Sequence, residues 1–213
     1  IPQNNFTITW SWKGENANYW YVDSKCQPLF FENRVYVGTD DGLFHCFAGD
    51  TGKTLFMYRV PLGSKKRKTF SSPIIQKDLV IFGAHDGNLY ALDRITGKRK
   101  WVFMEGDCID TTPCSTKHDT VVTGVTLGLF KKKSSLVSIS ITTGNKEWEH
   151  SFESSLRIFP SYHKKSDTVA VTAEDGSVYI INAKNGKCIW NIQTEFVFKT
   201  CPVFDEEGDV FMV

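Results

Sequence analysis

The sequence predicts an all-β fold of the β-propeller type, in which four-stranded antiparallel sheets stack around an axis. Two recurring landmarks along the 213 residues predict it. A pair of turn glycines followed by an aromatic residue occurs four times, and prolines 45, 40, 47 and 42 residues apart precede the units. Self-similarity at a period of roughly 20–50 residues is typical of propellers and solenoids. Short runs of β-branched and aromatic residues separate the landmarks, and no helical period is visible.

Each unit contains two classes of turn glycine. The first follows an aspartate in three units, as in Asp86-Gly87, and the second follows threonine or asparagine, as in Thr96-Gly97. Glycine reaches the positive φ of such tight turns at little cost. The predicted turn glycines are Gly42, Gly52, Gly87, Gly97, Gly144, Gly176 and Gly186.

An aromatic residue stands four positions after the second glycine of every unit. These residues are Phe56, Trp101, Trp148 and Trp190. A four-stranded sheet cannot bury both of its faces alone, so we expect the rings to lie between adjacent sheets. Burial of such a ring contributes about 2–3 kcal/mol, and we interpret all four residues as structural.

The units read as strand, loop, strand, turn, strand, turn, strand, which is one propeller blade. The predicted blades span approximately residues 24–60, 69–104, 109–153 and 157–194, with partial strands at 6–13 and 197–213. Runs such as NLYALD and SVYIIN alternate apolar and polar residues, which predicts strands buried on one face. Because only about four blades are complete, we expect the segment to be part of a larger ring.

Composition and charge exclude several classes of function. The net charge is +1, which creates no field for nucleic acid, and no apolar run approaches the roughly 20 residues of a spanning helix. We therefore expect neither a nucleic-acid partner nor a membrane. The six cysteines form no CxxC pair and have no zinc-finger spacing, which favours free thiols in a reducing, cytoplasmic compartment, with disulfides as the alternative.

Two short basic runs are candidates for an anion-binding patch. Their residues are Lys65, Lys66, Arg67 and Lys68 in the first run and Lys131, Lys132 and Lys133 in the second. The first run could also be a nuclear localisation signal, and solvated loops are the simpler interpretation of both. The aspartates of the DG turns are expected to accept backbone hydrogen bonds, and the five histidines to be surface or turn residues. Because no nucleophile, base and orienting group can be named together, we nominate no catalytic residue, cofactor-binding residue or metal ligand.

The strings VYVGTDDGLFHCFAGDTGKTLF and VIFGAHDGNLYALDRITGKRKW resemble the repeats of pyrroloquinoline-quinone-type (PQQ-like) β-propellers. Those repeats carry an ALD-x-x-TG-x-x-x-W motif behind a DG turn, and the resemblance extends from Trp10 to Val213. It implies a closed ring of six to eight blades. FSSPII ahead of DLVIFGAHDGNLYAL, and the opening stretch TWSWKGENANYWYVDSKCQPLFFENRVYVGT, resemble the C-terminal propeller of the β-alanine-activating enzymes of the acyl-CoA synthetase family.

In that enzyme family an adenylation domain and a carrier domain precede the propeller, and none of their motifs lies in this sequence. The resemblance therefore implies a non-catalytic interaction or scaffold module. Its partners would be another protein or other domains of a carrier-linked, adenylate-forming parent chain. Whether that parent is an acid–thiol ligase stays open.

Two alternatives remain. The first is a quinoprotein oxidoreductase, for which the resemblance implies an adjacent Cys-Cys pair, a tryptophan floor, and Glu, Asn and Asp around calcium. No Cys-Cys pair occurs, so we expect no pyrroloquinoline quinone in this segment. The second is a propeller lipoprotein of outer-membrane protein assembly, which would have a lipobox and few cysteines. No lipobox is visible, and six cysteines argue against it.

Overall fold

The computed structural model describes residues 7–13, 26–39, 41–61, 71–127, 133–156 and 159–212. Within these ranges the chain forms 18 β-strands and no α-helix. Sixteen of the strands build four antiparallel four-stranded sheets, each from strands that are consecutive in sequence. The all-β propeller architecture predicted from the repeat is confirmed.

The strand bounds follow the repeat. The first sheet contains β1 (Leu29–Phe31), β2 (Arg34–Gly38), β3 (Leu43–Ala48) and β4 (Thr54–Arg59). The second contains β5 (Ile74–Gln76), β6 (Leu79–Gly83), β7 (Asn88–Asp93) and β8 (Arg99–Met104). The third contains β9 (Cys114–Ser115), β10 (Thr120–Leu127), β11 (Lys133–Ser140) and β12 (Lys146–Phe152). The fourth contains β13 (Ser161–His163), β14 (Thr168–Thr172), β15 (Ser177–Asn182) and β16 (Cys188–Gln193), and β17 (Val203–Phe204) pairs with β18 (Val210–Phe211) as a hairpin.

The meander order of each sheet determines which connections lie together. Strand direction reverses at every step, so the connection between the second and third strands lies on the same side as the connection to the next sheet. We call this side the upper rim. The β6–β7 connection and the β8–β9 connection therefore meet at the upper rim.

The hydrophobic cores lie between consecutive sheets. Phe44 of the first sheet stacks on Phe82 of the second with ring centroids 3.9 Å apart. Ile81, the neighbour of Phe82, belongs instead to the core shared with Val137 of the third sheet. A third core joins the third and fourth sheets, for example through Leu136. Each inner sheet therefore contributes to two cores, one on each face.

This stacking corrects the expectation that the strands are buried on one face only. In β7 the four central residues are all buried, and in β14 every residue is buried. The reason is that the middle strands of a sheet are covered by a neighbouring sheet on both sides, so their polar residues, such as Thr123 and Ser138, are buried as well.

The strand expected at residues 6–13 is also corrected. The described residues 7–13 form no strand. They are held instead by two indole rings. Trp10 lies against Gly52, and the Trp12 ring lies 4.7 Å from the His45 ring and 5.2 Å from the Phe47 ring. Side-chain packing, not strand pairing, attaches this segment to the first sheet.

The second turn of each blade has one recurring form. Gly97 has a φ of 70°, and its backbone N–H donates to the Asp93 carbonyl at 2.8 Å. The Asp93 carboxylate accepts from the backbone N–H of Thr96 at 2.8 Å, and this bond lowers the pKa of Asp93 to about 2. All seven predicted turn glycines have positive φ, between 67° and 87°.

An aromatic residue from the preceding sheet, or from the opening segment in the case of Trp10, lies on the turn glycine of each sheet. The pairs are Trp10 with Gly52, Phe56 with Gly97, Trp101 with Gly144, and Trp148 with Gly186. A Cβ atom at any of these glycines would lie between 2.4 and 2.8 Å from a ring carbon of the partner. We call each such contact a seam. Two requirements select glycine at a seam. The backbone has a positive φ, and the aromatic ring occupies the space where a Cβ atom would lie.

A hydrogen bond completes each seam. The indole N–H of Trp101 donates to the Ile141 carbonyl at 2.8 Å, and that of Trp148 donates to the Ala183 carbonyl at 2.9 Å. Trp10 makes the same bond, to the Gly49 carbonyl at 2.9 Å. Trp10 is thus a seam residue that the sequence analysis placed only in an opening strand.

Phe56 has no N–H, and a tyrosine supplies the donor in its place. The Tyr36 hydroxyl donates to the Arg94 carbonyl at 3.0 Å, and Arg94 holds the position equivalent to Ile141 and Ala183. Tyr36 is fully buried, and burial raises its pKa to about 12, so the hydroxyl keeps its proton and its donor role. The acceptor carbonyl is therefore satisfied at all four seams.

We predict that Tyr36→Phe lowers the free energy of unfolding by about 1 kcal/mol, because the Arg94 carbonyl loses its donor. Adding Phe56→Trp to this variant should restore most of the loss, because the indole N–H can then reach the same carbonyl. Phe56→Trp alone is the control, and it should bring no such gain because the acceptor is already occupied. Urea unfolding of the four proteins measures the coupling. Additive effects of the two substitutions would contradict this account.

His45 contradicts the expectation that the histidines are surface or turn residues. Its side chain is buried, it stacks on Phe47 with ring centroids 5.4 Å apart, and its Nε2 atom has no hydrogen-bond partner. Burial lowers the pKa of His45 below its ordinary value of 6.5. His163 is buried too, against Phe204.

The depressed pKa of His45 predicts a pH dependence of stability. As the pH falls through 6.5 the unfolded chain binds more protons at this residue than the folded chain does, so stability falls as the pH drops. We expect His45→Phe, which keeps an aromatic ring, to lose less stability than the wild type between about pH 7.5 and about pH 5.5. Urea unfolding at the two pH values measures the difference. An unchanged loss in His45→Phe would show that other groups cause it.

Candidate interaction surface

Trp190 occupies the seam position of the fourth sheet but is not enclosed. It follows its turn glycine, Gly186, by the same four residues that separate Gly144 from Trp148. Trp148 is half-buried against the fourth sheet, whereas Trp190 is 50% exposed. All six residues of β16, the strand that carries Trp190, are exposed. Tryptophans at this position pack against the next sheet in the preceding blades, whereas Trp190 faces the solvent.

Other large apolar residues are exposed in the same part of the chain. We call the following set the end surface: Ile189, Trp190, Ile192, Phe196, Val197, Val203 and Phe211. Their exposed fractions lie between 45% and 71%. They belong to consecutive elements, from β16 to the β17–β18 hairpin. Exposed apolar residues in such number are typical of surfaces that contact other protein segments, so the end surface is a candidate interaction surface.

The β17–β18 hairpin packs beside the first strand of the fourth sheet. Phe204 stacks on His163 with ring centroids 5.2 Å apart, and the Lys165 ammonium donates to the Glu206 carbonyl at 2.8 Å. An open groove of about 640 Å³ lies between the hairpin and the end of β13. Lysines line one wall of the groove, and acidic residues line the other. Both signs of charge therefore face this groove.

The basic patch stays a prediction. Lys65, Lys66, Arg67, Lys68, Lys131 and Lys132 lie outside the described residues. Lys133 begins β11, where the strand pair of the third blade is extended, and its ammonium lies 2.9 Å from a Glu153 carboxylate oxygen. This exposed ion pair leaves Lys133 partly neutralised.

The structure brings together three side chains that the sequence analysis did not connect. His85 lies in the β6–β7 connection, and Cys108 and Asp110 lie in the β8–β9 connection. The His85 Nδ1 atom is 2.9 Å from the Cys108 sulfur and 3.0 Å from an Asp110 carboxylate oxygen. No short spacing motif could reveal the cluster, because its members come from two connections that meet only at the upper rim. Cys108 is buried, and the other two side chains are partly exposed.

Two further observations concern the described residues alone. No disulfide joins the six cysteines, all of which the structure describes. No helix in the described ranges has the length and hydropathy that crossing a membrane requires.

Comparison with solved structures places the fold among known propellers. A quinohemoprotein alcohol dehydrogenase from Pseudomonas putida HK5 superposes with a TM-score of 0.69 at 14% identity, over 90% of this chain and 39% of the enzyme. A europium-containing methanol dehydrogenase gives 0.67 at 16% identity, over 80% and 42%. BamB from Moraxella catarrhalis gives 0.50 at 20% identity, over 84% and 66%. At such identities the likeness shows the fold alone, and the chain spans less than half the length of either dehydrogenase.

No curated protein matches the sequence significantly. A family model does match, over residues 9–158, and these residues include three of the four complete sheets. The matched residues contain both partners of three seams, and only Gly186 of the fourth seam lies outside them. The chain therefore belongs to the PQQ-like repeat family that is described as outer membrane protein assembly factor BamB.

Proposed function

We propose that this propeller segment is a non-catalytic interaction module whose end surface receives a further β-sheet. The observation that carries the proposal is the 50% exposure of Trp190, at the position that closes a seam in the preceding blades. The occupant that fits is a sheet that presents a turn glycine with a free backbone carbonyl three residues before it, as Ala183 precedes Gly186. Such a sheet can come from another part of the parent chain or from a partner protein.

The energetics of the seams support this occupant. A ring that is half exposed gains roughly 1–2 kcal/mol when its remaining face leaves water. The exposed neighbours Ile189, Ile192 and Phe196 would add to this gain. The name of the matched family, an assembly factor, also favours a role in protein contacts over a role in chemistry.

We further propose that the parent is a cytoplasmic, carrier-linked adenylate-forming enzyme, with the nucleus as an alternative location. Support comes from the resemblance of FSSPII and the opening stretch to the propeller of the β-alanine-activating enzymes. In such a parent the activating chemistry lies in other domains. The propeller then serves as a docking platform for those domains or for a protein partner.

The quinoprotein alternative asks for residues that the described chain does not bring together. A quinone needs an open indole face as its floor, but the rings of Trp10, Trp101 and Trp148 lie on the glycines of their seams. Trp12 lies against His45 and Phe47. Trp190 is open, but it belongs to the last strand of its sheet. These tryptophans therefore do not fit a quinone site.

The pair Trp148→Ala and Trp190→Ala tests the interaction surface. In the 213-residue chain, Trp148→Ala should lower the free energy of unfolding by about 2–4 kcal/mol, and Trp190→Ala by less than about 1 kcal/mol. In the full-length protein, Trp190→Ala should cost as much as Trp148→Ala if the covering sheet is intramolecular. If a partner protein supplies the sheet, Trp190→Ala should weaken the complex and leave stability unchanged.

Urea unfolding and sedimentation of the two variants, with wild type as reference, distinguish these cases. The interaction proposal fails if Trp190→Ala changes neither the stability of the full-length protein nor any complex it forms.

The proposed parent predicts β-alanine-dependent exchange of pyrophosphate into ATP by the full-length protein. Deleting the propeller should leave this exchange intact, because adenylation needs none of its residues, and should impair a later step or a protein complex. Isotope exchange measures the first reaction. Loss of exchange on deletion, or oxidation of alcohols by the full-length protein with added quinone and calcium, would contradict a non-catalytic propeller.

A further inference from the structure

The cluster of His85, Cys108 and Asp110 at the upper rim holds three donor atoms of different chemistry around one point. One potential ligand atom from each residue lies within 4.8 Å of those of the other two. The closest approaches are 2.9 Å between the Cys108 sulfur and His85 Nδ1, and 3.0 Å between His85 Nδ1 and Asp110. Tetrahedral zinc ligands lie roughly 3.3–3.6 Å apart at the usual bond lengths. The two short separations would have to lengthen by about 0.3–0.7 Å for the three atoms to surround an ion.

The backbone around the cluster fixes its two halves to each other. Ile109 lies between Cys108 and Asp110, and its backbone N–H donates to the carbonyl of Ala84, the neighbour of His85, at 3.1 Å. Cys108 is bridged to Thr126 of β10, with the Thr126 N–H donating to the Cys108 carbonyl at 2.9 Å. These bonds tie both connections to the sheets on either side. Preorganised ligands lose little conformational freedom when an ion binds.

A close backbone approach adds to this rigidity. Gly87 has a φ of 84°, and a Cβ atom there would lie 1.7 Å from the Gly106 carbonyl oxygen. The two connections therefore run side by side with no room for a side chain between them. Their separation, and with it the distance from His85 to Cys108, is determined by the main chain.

We propose that His85, Cys108 and Asp110 bind a zinc-like divalent transition-metal ion. A thiolate, an imidazole and a carboxylate are all zinc ligands, and the sulfur disfavours calcium and magnesium, which prefer oxygen. Three protein ligands leave one position for water, and the partial exposure of His85 and Asp110 provides access to it. The bound ion would join the second sheet to the third at the upper rim.

The competing interpretation is a cysteine nucleophile with a histidine base and an orienting aspartate. In such a triad the two ring nitrogens have different partners, one facing the thiol and the other the carboxylate. Here the Cys108 sulfur and both Asp110 oxygens approach the same atom, Nδ1, at 2.9, 3.0 and 3.2 Å. One nitrogen cannot accept the thiol proton while it donates to the carboxylate. The three ligand atoms lie within 4.8 Å of one another, and an ion between them would replace these contacts with bonds to the metal.

The test is cobalt and zinc binding by the purified full-length protein. We expect one cobalt ion per chain at this site, with a thiolate-to-cobalt charge-transfer band that Cys108→Ser removes. His85→Asn and Asp110→Asn should each weaken zinc binding by more than about 100-fold, beyond the usual effect of losing an outer-sphere partner. Bound zinc should also protect Cys108 from alkylation and raise the melting temperature of the wild type.

Two control variants match these changes. His118→Asn disrupts another histidine–aspartate pair, in which His118 Nε2 lies 2.7 Å from an Asp167 oxygen, but it has no thiol beside it. Cys188→Ser removes an exposed cysteine elsewhere. Both should bind zinc as the wild type does. Circular dichroism of every variant verifies that it is folded.

Three results would overturn the proposal. The first is the absence of a charge-transfer band in the wild type at millimolar cobalt. The second is zinc affinity that is unchanged in folded Cys108→Ser and His85→Asn. The third is rapid alkylation of Cys108 at neutral pH that zinc does not slow, which would favour the nucleophile. Since protection is measured on the wild type alone, the proposal can fail even if a variant does not fold.

Discussion

The contact of an aromatic ring with the turn glycine of the next sheet is the constraint on which the remaining structure depends. It determines how far apart two sheets stand, because the ring fills the space where a Cβ would be. The hydrogen bond to a carbonyl of the same turn, from an indole N–H at three seams and from Tyr36 at the fourth, also fixes their relative rotation. The apolar cores between sheets can close only at this distance. The positions of the rim connections, and of the side chains on them, follow from the same stacking.

Much of the fold could be predicted from the sequence, because each blade repeats the same local chemistry. Positive φ at the turn glycines, β-branched runs and the spacing from Gly97 to Trp101 are local signals, and they indicated both strand order and turn positions. Two-sided burial of the middle strands could not be predicted from alternation alone. From the sequence alone, Ser138 and Thr123 are expected to face solvent, and only the sheet that covers the second face explains why they are buried. The packing of residues 7–13 through Trp10 and Trp12, without strand pairing, was likewise invisible.

The candidate sites differ in how far the sequence could reveal them. Trp190 was identified from its place in the repeat, but its exposure depends on which sheets surround it. The cluster of His85, Cys108 and Asp110 has no sequence signature, because the histidine and the cysteine lie in different connections and approach through main-chain contacts across the rim. Local spacing finds sites within one connection. A site formed by residues of two connections can be identified only when the three-dimensional path of the chain is known.

The two-faced burial of the inner sheets also affects how the protein comes apart. Ile81 and Phe82 are neighbours in sequence, yet they stabilise opposite interfaces. Loosening the second sheet would therefore expose the faces of the first and the third together. Coupling of this kind between nearest neighbours makes isolated opening of an inner sheet costly. Native-state hydrogen exchange would then be slow in the middle strands β6, β7, β10 and β11, where both faces are covered.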